Sequence, residues 1–83
     1  LQDNFLRFNL FPNPTQGNVH LSCSEDCGIL QLQVSDAFGK VVLKQTMENV
    51  PENVFSLRGA SGVYFVEVKS DNGRRALMKV VKF

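Results

Sequence analysis

Tryptophan is absent from this 83-residue chain, and tyrosine and histidine each occur once. Seven phenylalanines are present, but they are spread over several segments and form no contiguous platform on which a sugar or a base would stack. Two cysteines and one histidine do not complete a four-ligand zinc site. No apolar run approaches the roughly 20 residues of a membrane-spanning helix, and the first residues lack the basic, apolar, small-residue layout of a secretory leader. Charge of neither sign dominates. The net charge is +1, and the basic residues are scattered except at Arg74-Arg75, which argues against a nucleic-acid surface. A 3.6-residue apolar stripe, the mark of an amphipathic helix, is also missing.

The chain does have a globular composition. It is 43% apolar and 20% charged, which excludes a disordered tail. At this length there is room for one domain and one core, with a stability of about 4–12 kcal/mol. The first residue is Leu1 rather than Met, so the chain reads as a piece of something longer.

Short alternating runs separated by turn residues dominate the pattern. Phe8-Asn9-Leu10-Phe11 leads into Pro12-Asn13-Pro14-Thr15-Gln16-Gly17, where the prolines fix φ and Pro14 holds Asn13 out of the helical region. Val19, Leu21 and Cys23 then share one face, with His20 and Ser22 on the other. Leu30, Leu32 and Val34 repeat the alternation up to the turn Asp36-Ala37-Phe38-Gly39, where Asp36 bonds the backbone ahead and Gly39 takes φ > 0. A return strand follows over Lys40 to Met47, a shorter one over Val54 to Leu57, and two longer ones over Tyr64 to Ser70 and Arg75 to Lys82. Six to seven short strands at this spacing leave no room for helical crossovers. The expected fold is therefore all-β, an immunoglobulin-like antiparallel β-sandwich.

The register of the last hairpin follows from its side chains. A two-residue Asn72-Gly73 turn would set Val66 opposite Lys79. A three-residue loop, Asp71-Asn72-Gly73 with Gly73 in the left-handed region, sets Tyr64, Val66 and Val68 beside Val80, Met78 and Ala76 on one apolar face. The second arrangement is expected. The opposite face then mixes Val63, Phe65, Leu77, Val81 and Phe83 with Glu67, Lys69, Arg75 and Lys79. Two readings of it stand: Phe5-Leu6-Arg7-Phe8 folds over it, or a partner docks there. The last strand, with an unpaired edge, would also admit strand addition or a homodimer through the hairpin.

Candidate chemistry is sparse. Cys23 and Cys27 flank a tight loop and read as a disulfide, then as a free thiol pair, and least as a metal half-site. A bridge across so short a loop stabilises by about 2 kcal/mol and implies an oxidising compartment. His20 lies on an outer strand face with no nucleophile motif near it. Glu25, Asp26, Asp36, Glu48, Glu52 and Asp71 fall mostly in turns. The glycines end strands and precede no helix, so they cradle no phosphate. Neither enzymatic activity nor a cofactor is expected.

The turn motifs, taken in order, are Phe11-Pro12-Asn13-Pro14 with Gly17, Val34-Ser35-Asp36-Ala37-Phe38-Gly39-Lys40-Val41, Ser61-Gly62-Val63-Tyr64-Phe65-Val66, and Lys79-Val80-Val81-Lys82. Their order and spacing resemble the C-terminal sorting domain of cargo proteins of the type IX secretion system (type A). That resemblance implies an immunoglobulin-like module in residues 10–83, with residues 1–9 ending a linker from an upstream cargo domain. It implies passage through the periplasm, then recognition by the outer-membrane translocon. The resemblance further implies that a surface sortase removes the domain, leaving the cargo at the cell surface or outside the cell. By the same resemblance, recognition falls on Gly62, Val63, Tyr64, Phe65, Lys79, Val80, Val81, Lys82 and Phe83. Pro12, Asn13, Pro14, Gly17, Asp36, Gly39, Asn72 and Gly73 serve as structural turns. The Cys23/Cys27 pair and the terminal Phe83 depart from the family pattern. The competing reading is a fibronectin-like or carbohydrate-binding accessory module that stays on its protein. The absence of Trp and the placing of the one Tyr in the core weigh against the sugar-binding form.

Overall fold

A computed structural model describes residues 8–23, 28–48, 52–71 and 73–83. Seven strands run in order: β1 (Phe8–Phe11), β2 (Asn18–Cys23), β3 (Leu30–Asp36), β4 (Val41–Met47), β5 (Glu52–Ser56), β6 (Gly62–Ser70) and β7 (Arg75–Lys82). They form two antiparallel sheets, one ordered β1-β2-β5 and the other β4-β3-β6-β7. This is the all-β sandwich that the alternation predicts.

Each strand buries every second side chain because successive residues point to opposite faces of the pleat. Val19 and Leu21 come from β2, Leu30, Leu32 and Val34 from β3, and Tyr64, Val66 and Val68 from β6. With Leu10, Met47, Phe55, Leu57, Ala76 and Val80 they form one core between the sheets. Cys23, Leu43, Met78 and Phe8 pack against its margin.

Two boundaries differ from the sequence reading. β1 begins at Phe8, inside the segment assigned to a linker, because Phe8 and Asn9 pair with Cys23 and Ser22. β5 begins at Glu52, earlier than the apolar run suggests, since backbone pairing with Ser22 needs no apolar side chain. Leu57 lies past its end yet stays buried, held by a Leu57 N–H bond to the Gly17 carbonyl at 2.8 Å.

The β3–β4 turn is closed by Asp36, whose Oδ1 accepts from the N–H groups of Phe38 and Lys40, both at 2.9 Å. In β4, Leu43 pairs with Val34 and Val41 with Ser35, so Val42 is an extra residue that bulges the strand. The β6–β7 hairpin has the register of the three-residue loop: Tyr64 faces Val80, Val66 faces Met78 and Val68 faces Ala76. Gly73 has φ 87°, as that loop requires. Asn72 lies outside the described residues.

Candidate functional site

The last hairpin is held at its base by Tyr64. Its side chain is buried, and its hydroxyl donates to the Ala60 carbonyl at 2.6 Å. The bond ties the turn before β6 to the strand, in the manner of the tyrosine corner of sandwich folds. Gly59 lies directly under that hydroxyl, where any Cβ would collide with it. Gly62, at φ 148°, closes the turn and leads into Val63, which is half-buried.

The outer edge of β7 is closed by the loop between β1 and β2. Asn13 Nδ2 donates to the Lys79 carbonyl and Asn13 Oδ1 accepts from the Val81 N–H, each at 3.0 Å. The Thr15 N–H donates to the Val81 carbonyl at 2.8 Å, and the Phe83 N–H donates to the Thr15 carbonyl at 2.9 Å. Thr15 thereby makes a short parallel bridge with Lys82. Its own hydroxyl, with the residue 1% exposed, donates to the Asn18 carbonyl at 2.6 Å and accepts from the Gly17 N–H at 3.1 Å. The unpaired edge expected for the last strand is thus occupied from Lys79 to Phe83. Strand addition or homodimerisation through that stretch would have to displace the loop. Among the described residues, the stretch of that edge left without a partner strand runs from Arg75 to Leu77.

Thr15 carries this arrangement and is missing from the residues singled out in the sequence. The available signal was a threonine two residues before Gly17 in a proline-stiffened loop, a position suited to side-chain bonding of local backbone.

The residues assigned to recognition divide between two faces. Tyr64 and Val80 belong to the core, Val80 being fully buried. Phe65, Lys79, Val81 and Val63 lie on the outer face of the four-stranded sheet, with Phe65 exposed and Val63 and Val81 half-buried. Lys82, assigned to recognition by the resemblance, lies on the core side of its strand. It pairs with Gly62 in the same parity as Tyr64 and Val80, and its Nζ donates to the Gly59 carbonyl. Its stem crosses the end of the sandwich, with Cε near Gly17. Phe83, 62% exposed, lines a hollow shared with Pro12, Pro14 and His20.

The other candidates have structural placements. Phe8 pairs in the three-stranded sheet rather than covering the hairpin face, and Phe5, Leu6 and Arg7 lie outside the described residues. His20 stacks on Phe11, with ring centroids 5.2 Å apart and planes 5° from parallel. Cys23 is disulfide-bonded; Cys27, Glu25 and Asp26 lie outside the described residues. No group of three or more His, Cys, Asp or Glu side chains is positioned to hold a metal among the described residues.

Comparison with known proteins gives a family match and a likeness of fold. A family model described as a secretion system C-terminal sorting domain matches residues 9–82. Among solved structures, the chain is similar to a DUF3244 family protein from Bacteroides vulgatus with an immunoglobulin-like β-sandwich fold. The two superpose with a TM-score of 0.71 at 13% identity, covering 94% of this chain and 96% of that one. At that identity the likeness is one of fold. No curated protein sequence matches.

Proposed function

The chain belongs to the family of secretion system C-terminal sorting domains, and from that membership we propose how it acts as an address. The family places it in type IX secretion, joined to a cargo protein bound for the cell surface or the extracellular space. In our reading the domain crosses the periplasm with its cargo already folded. It presents the outer face of β6 and β7 to the outer-membrane translocon and is then removed by a surface sortase. Its role is non-catalytic, a reading supported by the family and by the immunoglobulin-like fold.

The observation that carries this proposal is the family match over nearly the whole folded length, residues 9–82. The geometry adds a physical rationale. An address must keep its shape during transport, and here β7 is secured on one side by β6 and on the other by Asn13 and Thr15. Phe65 and Lys79 stand opposite each other on the exposed face, free to be read without disturbing the core.

The test is a reporter fused ahead of Leu1–Phe83, behind a secretory leader, in a host with a type IX system. The reporter is expected at the cell surface or in the medium, reduced in mass by loss of the domain. Phe65→Ser with Lys79→Glu, which leaves the core intact, is expected to hold it in the periplasm. A wild-type fusion retained in the periplasm overturns the sorting role. Normal export of the double variant overturns the assignment of recognition to this face, and export with the domain still attached overturns sortase removal.

A further inference from the structure

Basic residues that are scattered along the sequence are gathered by the pleat. Register across the four-stranded sheet sets Lys44, Gln33, Glu67 and Leu77 in one row of its outer face. Thr46, Gln31, Lys69 and Arg75 form the next row, and Val41, Ser35, Phe65 and Lys79 the row on the other side. These three rows therefore carry four cations, Lys44, Lys69, Arg75 and Lys79, all exposed, against the carboxylate of Glu67, with the exposed Asp71 following Lys69 at the hairpin end. The whole chain has a net charge of only +1, so positive charge is concentrated in these three rows. Lys69 Nζ lies 3.8 Å from Glu67 Oε1, an exposed pair of the kind that contributes little.

Apolar side chains stand among these charges. Leu77 is 67% exposed and Phe65 40% exposed. Beside them a groove of about 270 Å³ runs over Gln31, Gln33, Lys44, Thr46, Glu67 and Lys69. Its amides and hydroxyl offer both donors and acceptors, the set that a peptide backbone needs.

We propose that this sheet face docks an acidic protein segment carrying apolar side chains. Carboxylates of that segment lie opposite Lys44, Arg75 and Lys79, and its apolar groups cover Leu77 and Phe65. Charge complementarity selects this occupant. A phosphate-rich surface, whether nucleic acid or lipid, would meet Glu67 in the middle of the face and leave Leu77 and Phe65 without apolar partners. The proposal rests on the sorting role for its biological setting, and it extends the recognised surface to β3 and β4, well beyond the last strand.

The experiment is an amide chemical-shift titration of isotope-labelled Leu1–Phe83 with a short synthetic peptide rich in glutamate and leucine. Shifts are expected at Lys44, Glu67, Leu77 and Lys79. They should weaken as salt rises, and Kd should rise about tenfold or more in Lys44→Glu with Lys79→Glu. Leu77→Ser, with all charges kept, should also weaken binding. The proposal is overturned by absence of shifts on this face, by equal shifts with a lysine–leucine peptide, or by tighter binding of a short DNA duplex or phosphatidylglycerol vesicles. In the export assay, Lys44→Glu with Lys69→Glu should reduce surface reporter severalfold while the circular dichroism spectrum is unchanged. If wild-type and charge-reversed fusions are exported alike, this inference fails and the sorting role stands. If the wild-type fusion is not exported, the sorting role fails, and the titration still decides the docking chemistry.

Discussion

The side-chain amide of Asn13 stands in for a neighbouring strand at Val81, accepting the Val81 N–H through Oδ1 while Nδ2 donates to the Lys79 carbonyl, both at 3.0 Å. One side chain thus satisfies a donor and an acceptor on the edge of β7, as an adjacent peptide group would. Asn13→Asp keeps the acceptor and loses the donor, setting a carboxylate against the Lys79 carbonyl. A loss of about 1 kcal/mol is expected, because the bonds are solvent-exposed. Urea denaturation gives the stability, and amide exchange at Val81 reports the edge itself. Val81 protection that stays at its wild-type level in Asn13→Ala would show that the amide does not close the edge.

Thr15 offers a sharper test of the same loop. Thr15→Val retains shape and burial but leaves the Asn18 carbonyl and the Gly17 N–H without the hydroxyl that each now bonds. The expected loss is about 1–2 kcal/mol, since Thr15 is buried while its two bonds are only partly so. Thr15→Ser, which keeps the hydroxyl, should lose less than Thr15→Val. The reverse order in thermal melts would mean that the methyl group, not the hydroxyl, holds the loop.

Tyr64 and Gly59 form a pair whose energies are coupled. Tyr64→Phe removes the bond to Ala60 and is expected to lower stability by about 1 kcal/mol. Gly59→Ala drives a methyl into the Tyr64 hydroxyl and should be more damaging. In the Tyr64→Phe background the obstruction shrinks, so Gly59→Ala should be better tolerated there. A double-mutant cycle measures this, and strict additivity would show that the close approach has no energetic consequence.

The two faces of β7 should respond differently to truncation. Val80→Ala opens a cavity in the core, with an expected loss of about 2 kcal/mol. Phe83→Ala acts at an exposed ring and should stay within about 0.5 kcal/mol. Equal losses in chemical denaturation would contradict this division of core and surface.

Much of this division was legible in the sequence. Period-two alternation identified the strands, and the wholly apolar set of Tyr64, Val66, Val68, Ala76, Met78 and Val80 fixed the hairpin register. That argument worked because a one-residue slip would have placed Lys79 in the core. The inward position of Lys82 was not legible, because a charged side chain is rarely expected on the core side of a strand. At the end of a sandwich a lysine stem reaches past the core, so its ammonium finds a carbonyl while its strand position stays inward. The clamp could not be read from local pattern at all, since Asn13 and Val81 are 68 residues apart. The basic face was hidden for a related reason: Lys44, Lys69, Arg75 and Lys79 become neighbours only once four strands are aligned.

The bonds from Asn13 and Thr15 to β7 also set the order in which this domain is able to assemble. The loop emerges early from the ribosome, but the backbone groups it binds are made more than sixty residues later. Until then Thr15 has no edge to grip, and β6 lacks the neighbour that covers its flank. Contacts so distant in sequence make for slow, late closure. A chain interrupted before β7 would leave the edge of β6 bare, a state that chaperones and proteases recognise. Full-length synthesis is thus written into the geometry as a precondition for a closed sandwich, and a partner that reads only the closed form would pass over incomplete chains.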